Sequence, residues 1–197
     1  MVVAIPRGDC WQCAQIIEKG GFAPIEARGV AAFRARIIDI APGLAAGIDA
    51  IRSFDDVKLL SVALDRLTRW SRPGLLAIGD AAHAMSPVGG VGINLAVQDA
   101  VAAANILAAP MAAGADSDPL LAKVQDRRWT PTARMQAIQR LAHQRVIEPM
   151  LRGEITRVPF AVRLFDAIPL LRRIPGRILG LGFGRQHVQS PLAKEFS

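Results

Sequence analysis

Residues 75–99 read LLAIGDAAHAMSPVGGVGINLAVQD: a short unbroken apolar run, an aspartate, a loop studded with glycines, then the opening of a helix. LLAIG (75–79) follows the turn SRPG (71–74) and stops at Asp80, which predicts a strand covered on both faces. A helix begins near Val91, and bare amides at a helix start form an anion site. Two phosphate cradles fail the test. A P-loop needs Gly-Lys-Ser/Thr, whereas Gly92 is followed by Ile93 and Asn94. A dinucleotide turn needs G-x-G-x-x-G directly after its strand, but Gly90-Val91-Gly92-Ile93-Asn94-Leu95 lacks the third glycine and comes well after Asp80. The arrangement suits another ligand, because open α/β sheets bind outside the carboxyl ends of their strands. Asp80 is placed to accept hydrogen bonds from hydroxyls, and Gly89 to Asn94 to offer N–H groups to a carbonyl or a developing negative charge. A polyol joined to a ring that becomes anionic matches both.

Working outward, VVAIP (2–6), the turn RGD (7–9) and CWQCAQII (10–17) predict two strands joined by a short turn. Phe22 to Ile40 carries a helical stripe at Ile25, Val30, Phe33, Ile37 and Ile40, stopped by Pro42-Gly43. VKLLSVALDRL (57–67) is strand-like. The helix from Val91 sets Val97, Ala100, Val101, Ala104, Leu107 and Ala108 on one face, with Gln98, Asp99 and Asn105 largely elsewhere. A flexible link (111–119) leads to a helix start at Asp118-Pro119; Thr130-Pro131 is expected to kink or restart it, and the remainder to form short helices broken at each proline.

The chain has 197 residues, 51% hydrophobic and 21% charged, ordinary globular composition. No apolar run approaches ~20 residues, so no bilayer-spanning helix is expected, nor does Met1 to Asp9 read as a signal peptide. Net charge is +7. Arg134, 140, 145, 152, 157, 163, 172, 173, 177 and 185 stand against only Glu148, Glu154 and Asp166, which reads as a solvated basic face, able to meet a membrane surface, nucleic acid or an acidic neighbour domain. CWQC (10–13) has redox spacing, but Gly20-Gly21 leaves little room for the helix that would activate a thiol, and buried strand cysteines are expected instead. His83, His143 and His187 are too far apart for metal-ligand spacing, so no metal is expected. Asp80, His83 and Ser86 lie too close along one loop for a nucleophile relay.

GLLAIGDAAHAMSPVGGVGINLAVQDAVAAANIL (74–107) resembles the second FAD motif of the flavoprotein aromatic hydroxylases, the group that includes p-hydroxybenzoate hydroxylase. Strand, Gly-Asp, Ala-Ala-His, proline, spaced glycines, asparagine and helix come in the family's order. More loosely, IPRGDCWQCAQIIEKGG (5–21) is similar to a strand pair of the family's substrate-domain sheet and WSRPGLL (70–76) to the approach to its last nucleotide-domain strand. The resemblance implies that Asp80 hydrogen-bonds the ribityl chain of FAD, that Pro87 lies beside the isoalloxazine ring, and that the amides of Gly89, Gly90, Val91, Gly92, Ile93 and Asn94 face its pyrimidine edge. It implies the family's chemistry, in which a reduced nicotinamide supplies electrons, FAD activates oxygen, and one oxygen atom passes to a small aromatic or lipid-like substrate.

The chain departs from the family in lacking the opening G-x-G-x-x-G, its acidic partner and the later Asp-Gly motif. The resemblance therefore implies an α/β architecture that is an incomplete FAD-binding three-layer fold. Residues 1–72 are expected to be the C-terminal part of a mixed β-sheet substrate domain with an inserted helix. Residues 73–112 would be the last strand, FAD loop and helix of the FAD-binding domain, and 113–197 a helical C-terminal extension. No catalytic side chain is named. The alternatives are a flavin-dependent reductase of lipid double bonds and a non-enzymatic fragment whose basic tail binds membrane or nucleic acid; on the leading reading no nucleic-acid partner is expected. A cytoplasmic location is expected, with peripheral membrane contact through the arginine-rich tail.

Overall fold

β-Branched and aromatic residues on either side of a glycine turn favour a hairpin, and the first two strands form one. The computed structural model describes residues 1–87, 89–154 and 169–189. In chain order the elements are β1 (Val2–Pro6), β2 (Trp11–Gln15), α1 (Phe22–Ala27), α2 (Gly29–Ile40), β3 (Asp65–Arg66), β4 (Ser71–Arg72), β5 (Leu75–Leu76), β6 (His83–Ala84), α3 (Val91–Ala112), α4 (Asp118–Ala142), α5 (Glu148–Leu151) and α6 (Pro169–Leu181). They fall into two units: Met1–Ser61 with the described part of Ile147–Thr156, and Val62–Val146 with the described part of Arg157–Ser197.

In the first unit β1 and β2 pair antiparallel from Val2↔Gln15 to Pro6↔Trp11. Arg7 N–H donates to the Cys10 carbonyl at 2.8 Å to close the turn, where Gly8 adopts φ +96°. The ribbon is largely bare: Trp11 is 57% exposed, and Cys10 and Cys13 are exposed free thiols. The expectation of buried strand cysteines is corrected, because a two-stranded ribbon buries neither of its faces without a covering layer. The single helix expected over 22–40 is two helices, parted where Gly29 takes φ +83°. Phe33 and Ile37 of α2 are buried, and the Phe54 ring meets those of Phe33 and Phe22 at 5.6 and 5.7 Å.

In the second unit two sequence expectations give way for one reason. Of VKLLSVALDRL only Asp65–Arg66 is strand, paired with β6, and of LLAIG only Leu75–Leu76, paired antiparallel with β4. Leu75 is 60% exposed, so this run is not covered on both faces. A strand extends only as far as a neighbour supplies ladder bonds, and among the described residues neither run meets a longer partner.

Helices do most of the packing. α3 buries Val91, Leu95, Asp99 and Ala102, whereas Val97 is 57% exposed and Ala100 and Ala104 are exposed too. Half of the expected face is therefore turned outward, while Val101, Leu107 and Ala108 are half-buried, and Asp99 is turned inward, because Arg128 of α4 holds it in an ion pair. By length and composition alone α3 is long and apolar enough to cross a membrane, contrary to the expectation from unbroken apolar runs. In this unit it packs on α4 and α6. α4 starts at Asp118-Pro119 as expected but continues through Pro131, and α6 continues through Pro175, so helices do not break at each proline. Pro159 lies outside the described residues. Val91, Leu95 and Met135 form a core with Met85, Ile178, Leu179 and Phe183 against it.

Glutamines on α4 take over the hydrogen bonds that the short strands do not make. Gln125 accepts from Trp70 N–H at 2.8 Å and donates to the Thr68 carbonyl at 3.0 Å. Gln136 donates to the carbonyls of Asp65 and Ala84 at 2.7 and 3.1 Å. Gln139 accepts from Ser86 N–H at 3.1 Å and donates to its carbonyl at 2.9 Å. Replacing Gln139 with Leu keeps the bulk but withdraws both contacts from a buried peptide unit. The expected loss is about 2 kcal/mol of unfolding free energy, read in urea as a lower midpoint at unchanged slope.

Candidate functional site

The loop after β5 is shaped by where glycine alone fits. Gly79 has φ +58°, and a Cβ there would lie 3.0 Å from that of Ala96, so the turn that follows β5 presses directly on α3. Asp80 follows in a 3-10 turn (Gly79–Ala81) with its side chain exposed. The chain passes through β6, buried Ser86 and exposed Pro87, and reaches α3 through Gly89 (φ +83°) and Gly90 (φ +62°). The Gly90 amide donates to the Pro87 carbonyl at 3.1 Å. No side chain caps α3, and its first turn holds no acid.

The expected site residues divide by exposure. Asp80, Pro87, Gly89, Gly90 and Ile93 are exposed, Gly92 and Asn94 are half-buried, and Val91 is buried in the core. Asp80 Oδ1 lies 3.8 Å from where a Cβ on Gly92 would stand, so the carboxylate and the start of α3 share one surface. Val91 and Asn94 have their side chains engaged elsewhere, Val91 in the core and Asn94 Nδ2 donating to the Leu179 carbonyl at 3.4 Å. A Cβ on Gly90 would meet nothing within 4 Å, and one on Gly92 would fill space between Met85 and Asp80. An exposed acceptor beside an uncapped 22-residue helix fits the polyol and ring portion of FAD.

Asp80, His83 and Ser86 turn to different surroundings. His83 is buried, with Nε2 at 2.6 Å from Asp99 Oδ2 and its ring 5.2 Å from that of Trp70. Because Asp99 is a carboxylate and accepts only, Nε2 carries the proton. Ser86 Oγ pairs instead with His143 Nε2 at 2.8 Å. Asp99 also accepts from Gly79 N–H at 3.1 Å and from Arg128 Nε at 2.7 Å, and neither Asp99 nor Arg128 is exposed at all. Burial on its own raises the Asp99 pKa, but hydrogen bonds from His83, Arg128 and the Gly79 amide outweigh it and hold the carboxyl below its ordinary range.

Sequence reasoning missed Asp99, Arg128 and His143 as supports of the loop. The available signal was Asp99 itself, an acid inside an apolar helix, which demands a cation when buried. Its partner, 29 residues away, follows no spacing rule.

Residues 3–138 match the family described as FAD binding domain. Over 190 residues the chain is 35% identical to 6-methylpretetramide 4-monooxygenase of Streptomyces rimosus, an alignment covering 95% of this chain and 44% of that protein. It is also 35% identical over 72 residues to an uncharacterized protein of Synechocystis, covering 36% of this chain and 17% of the relative. The chain thus spans less than half the length of the curated relatives it matches. It belongs to the FAD binding domain family, as a flavoprotein of the aromatic hydroxylase type, and FAD is its cofactor.

A group whose folded pKa is depressed stabilises the fold above its unfolded pKa, about 3.9 for Asp, and that contribution is lost as pH falls through the folded value. Stability of the wild-type chain is therefore expected to drop below pH ~4 more steeply than that of Asp99→Ala. At pH 7 the same variant is expected to lose about 3–5 kcal/mol, because Arg128 is left buried without its counter-charge. Chemical denaturation across pH checks both.

Proposed function

We propose that the chain provides the ring-and-ribityl half of the flavin site in an FAD-dependent monooxygenase that uses a reduced nicotinamide and oxygen. The observation that carries the reading is the exposed Asp80 carboxylate beside the uncapped start of α3. Bound FAD would supply the electron transfer and oxygen activation. Asp80 would accept from a ribityl hydroxyl, Pro87 would border the ring, and the helix start from Gly89 to Asn94, in which the Gly90 amide is already given to the Pro87 carbonyl, would stabilise negative charge at its pyrimidine edge by about 0.3–1 kcal/mol, more when desolvated. Ser86, gripped by Gln139 and His143, would keep Pro87 from drifting.

The sequence holds no G-x-G-x-x-G, so the adenosine half of the site would come from residues other than these. On this reading 1–72 belongs to a substrate domain, 73–112 to the FAD-binding domain and 113–197 to a helical extension. The substrate is a small aromatic or lipid-like molecule, and the likeness to a 6-methylpretetramide 4-monooxygenase supports a monooxygenase reaction. A cytoplasmic protein with a peripheral membrane contact fits the exposed Arg173 and Arg177 of α6, since Ile178 and Leu179 of that helix are spent on the core.

A site confined to ring and ribityl chain cannot tell FAD from its fragments. FAD, FMN and riboflavin are expected to bind the chain with affinities within a few fold of one another, read by flavin fluorescence quenching. Asp80→Ala is expected to weaken all three about tenfold, the loss of a charge-assisted hydrogen bond, with the thermal transition unmoved. Quenching by none of the three, even after the chain is joined to a polypeptide bearing the dinucleotide motif, would sink the proposal.

A further inference from the structure

The two oxygens of Asp99 serve two different segments. Oδ2 accepts from Gly79 N–H and His83 Nε2, which flank Asp80, at 3.1 and 2.6 Å. Oδ1 accepts from Arg128 Nε at 2.7 Å, and Arg128 Nη1 donates onward to the Gly184 carbonyl at 3.0 Å. Gly184 sits in the stretch that follows α6, at φ +60°, where a Cβ would come within 2.7 Å of Pro131 Cγ. The end of α6 and this stretch run along α3 as a strap: Gln98 Nε2 donates to the Leu181 carbonyl at 3.1 Å, and Asn105 donates to the His187 carbonyl and accepts from Gln189 N–H, both at 2.7 Å. At its other end Leu179 lies 3.4 Å from where a Cβ on Gly89 would stand.

We propose that Asp99 is the positioning residue of the loop beginning at Gly79, and that through Arg128 the same carboxylate anchors the C-terminal strap. The inference deepens the reading of residues 80–94 as a flavin site and rests on it for its functional meaning. One oxygen sets where the Asp80 turn leaves the strand; the other holds the only cation that reaches Gly184 among the described residues. Asparagine cannot reproduce this, because its single oxygen accepts on one side while its NH2 confronts N–H donors on the other. Order in the loop and docking of the strap therefore depend on one buried charge, whereas either can be loosened alone by changes farther out.

Hydrogen exchange followed by mass spectrometry on the full chain without flavin tests this, comparing peptides covering 77–86 and 180–189. In Asp99→Asn both are expected to exchange at least about tenfold faster, with 1–40 unchanged. In Arg128→Lys, whose ammonium keeps its charge beside Asp99 but does not bridge to Gly184, only 180–189 is expected to loosen. In Asn105→Ala likewise only 180–189 loosens. Wild-type protection of 77–86 in Asp99→Asn, or an equal rise across the cores of α3 and α4, would overturn the proposal. So would loosening of 77–86 in Asn105→Ala, since the coupling would then run through the strap itself. If Asp99→Asn does not fold, Arg128→Lys decides: loosening of 180–189 alone supports the assignment, and loosening of both peptides or of neither refutes it. Failure of wild-type chain to bind any flavin would strike the proposed function and leave the exchange result standing.

Discussion

An ionised carboxylate in a protein interior is tolerated only when donors replace the water it lost. Asp99 obtains them from three places far apart in sequence: the Gly79 amide, the His83 ring and the Arg128 guanidinium. Its burial therefore forces the end of β5, strand β6 and helix α4 to converge on one turn of α3. Gly79 must then approach α3 so closely that Ala96 leaves no room for a side chain. Trp70 packs on the His83 ring and lies 6.4 Å from Trp129, which in turn carries the Arg66 guanidinium at 3.9 Å. The aromatic packing of this unit is thus arranged around a polar centre.

What could be read from the sequence was whatever depends on neighbours along the chain. The Val2–Gln15 hairpin, the starts of α3 and α4, and the turn glycines before α3 follow from local chemistry, and the structure has them. Strand character in 57–67 and 75–79 was over-read, because a strand is completed by partners that local pattern does not reveal. The facing of α3 was misjudged because periodicity scores Asp99 as polar and outward, while a single guanidinium from α4 reverses that sign. Pro131 and Pro175 were given a power to end helices that neither exercises here.

The site divides in the same way. Its backbone portion, glycines followed by a helix start, is written in a contiguous motif, and that motif lies within the residues 3–138 that match the family. Its support is dispersed: His143 holds Ser86, Gln139 brackets the same residue, and Asp99 holds Gly79, each across more than 15 residues. Sequence spacing shows what faces a ligand more readily than what keeps it in place.

The glutamines of α4 differ from Asp99 in carrying no charge. Their grip on residues 65–86 involves no ionised group, while the grip of Asp99 on Gly79 is that of a buried carboxylate. The loop is hung from two kinds of fastening, neutral amides toward its end and a buried charge at its beginning. The two ends of the loop are thus tied to different helices, Gly79 to α3 through Asp99 and Ser86 to α4 through Gln139.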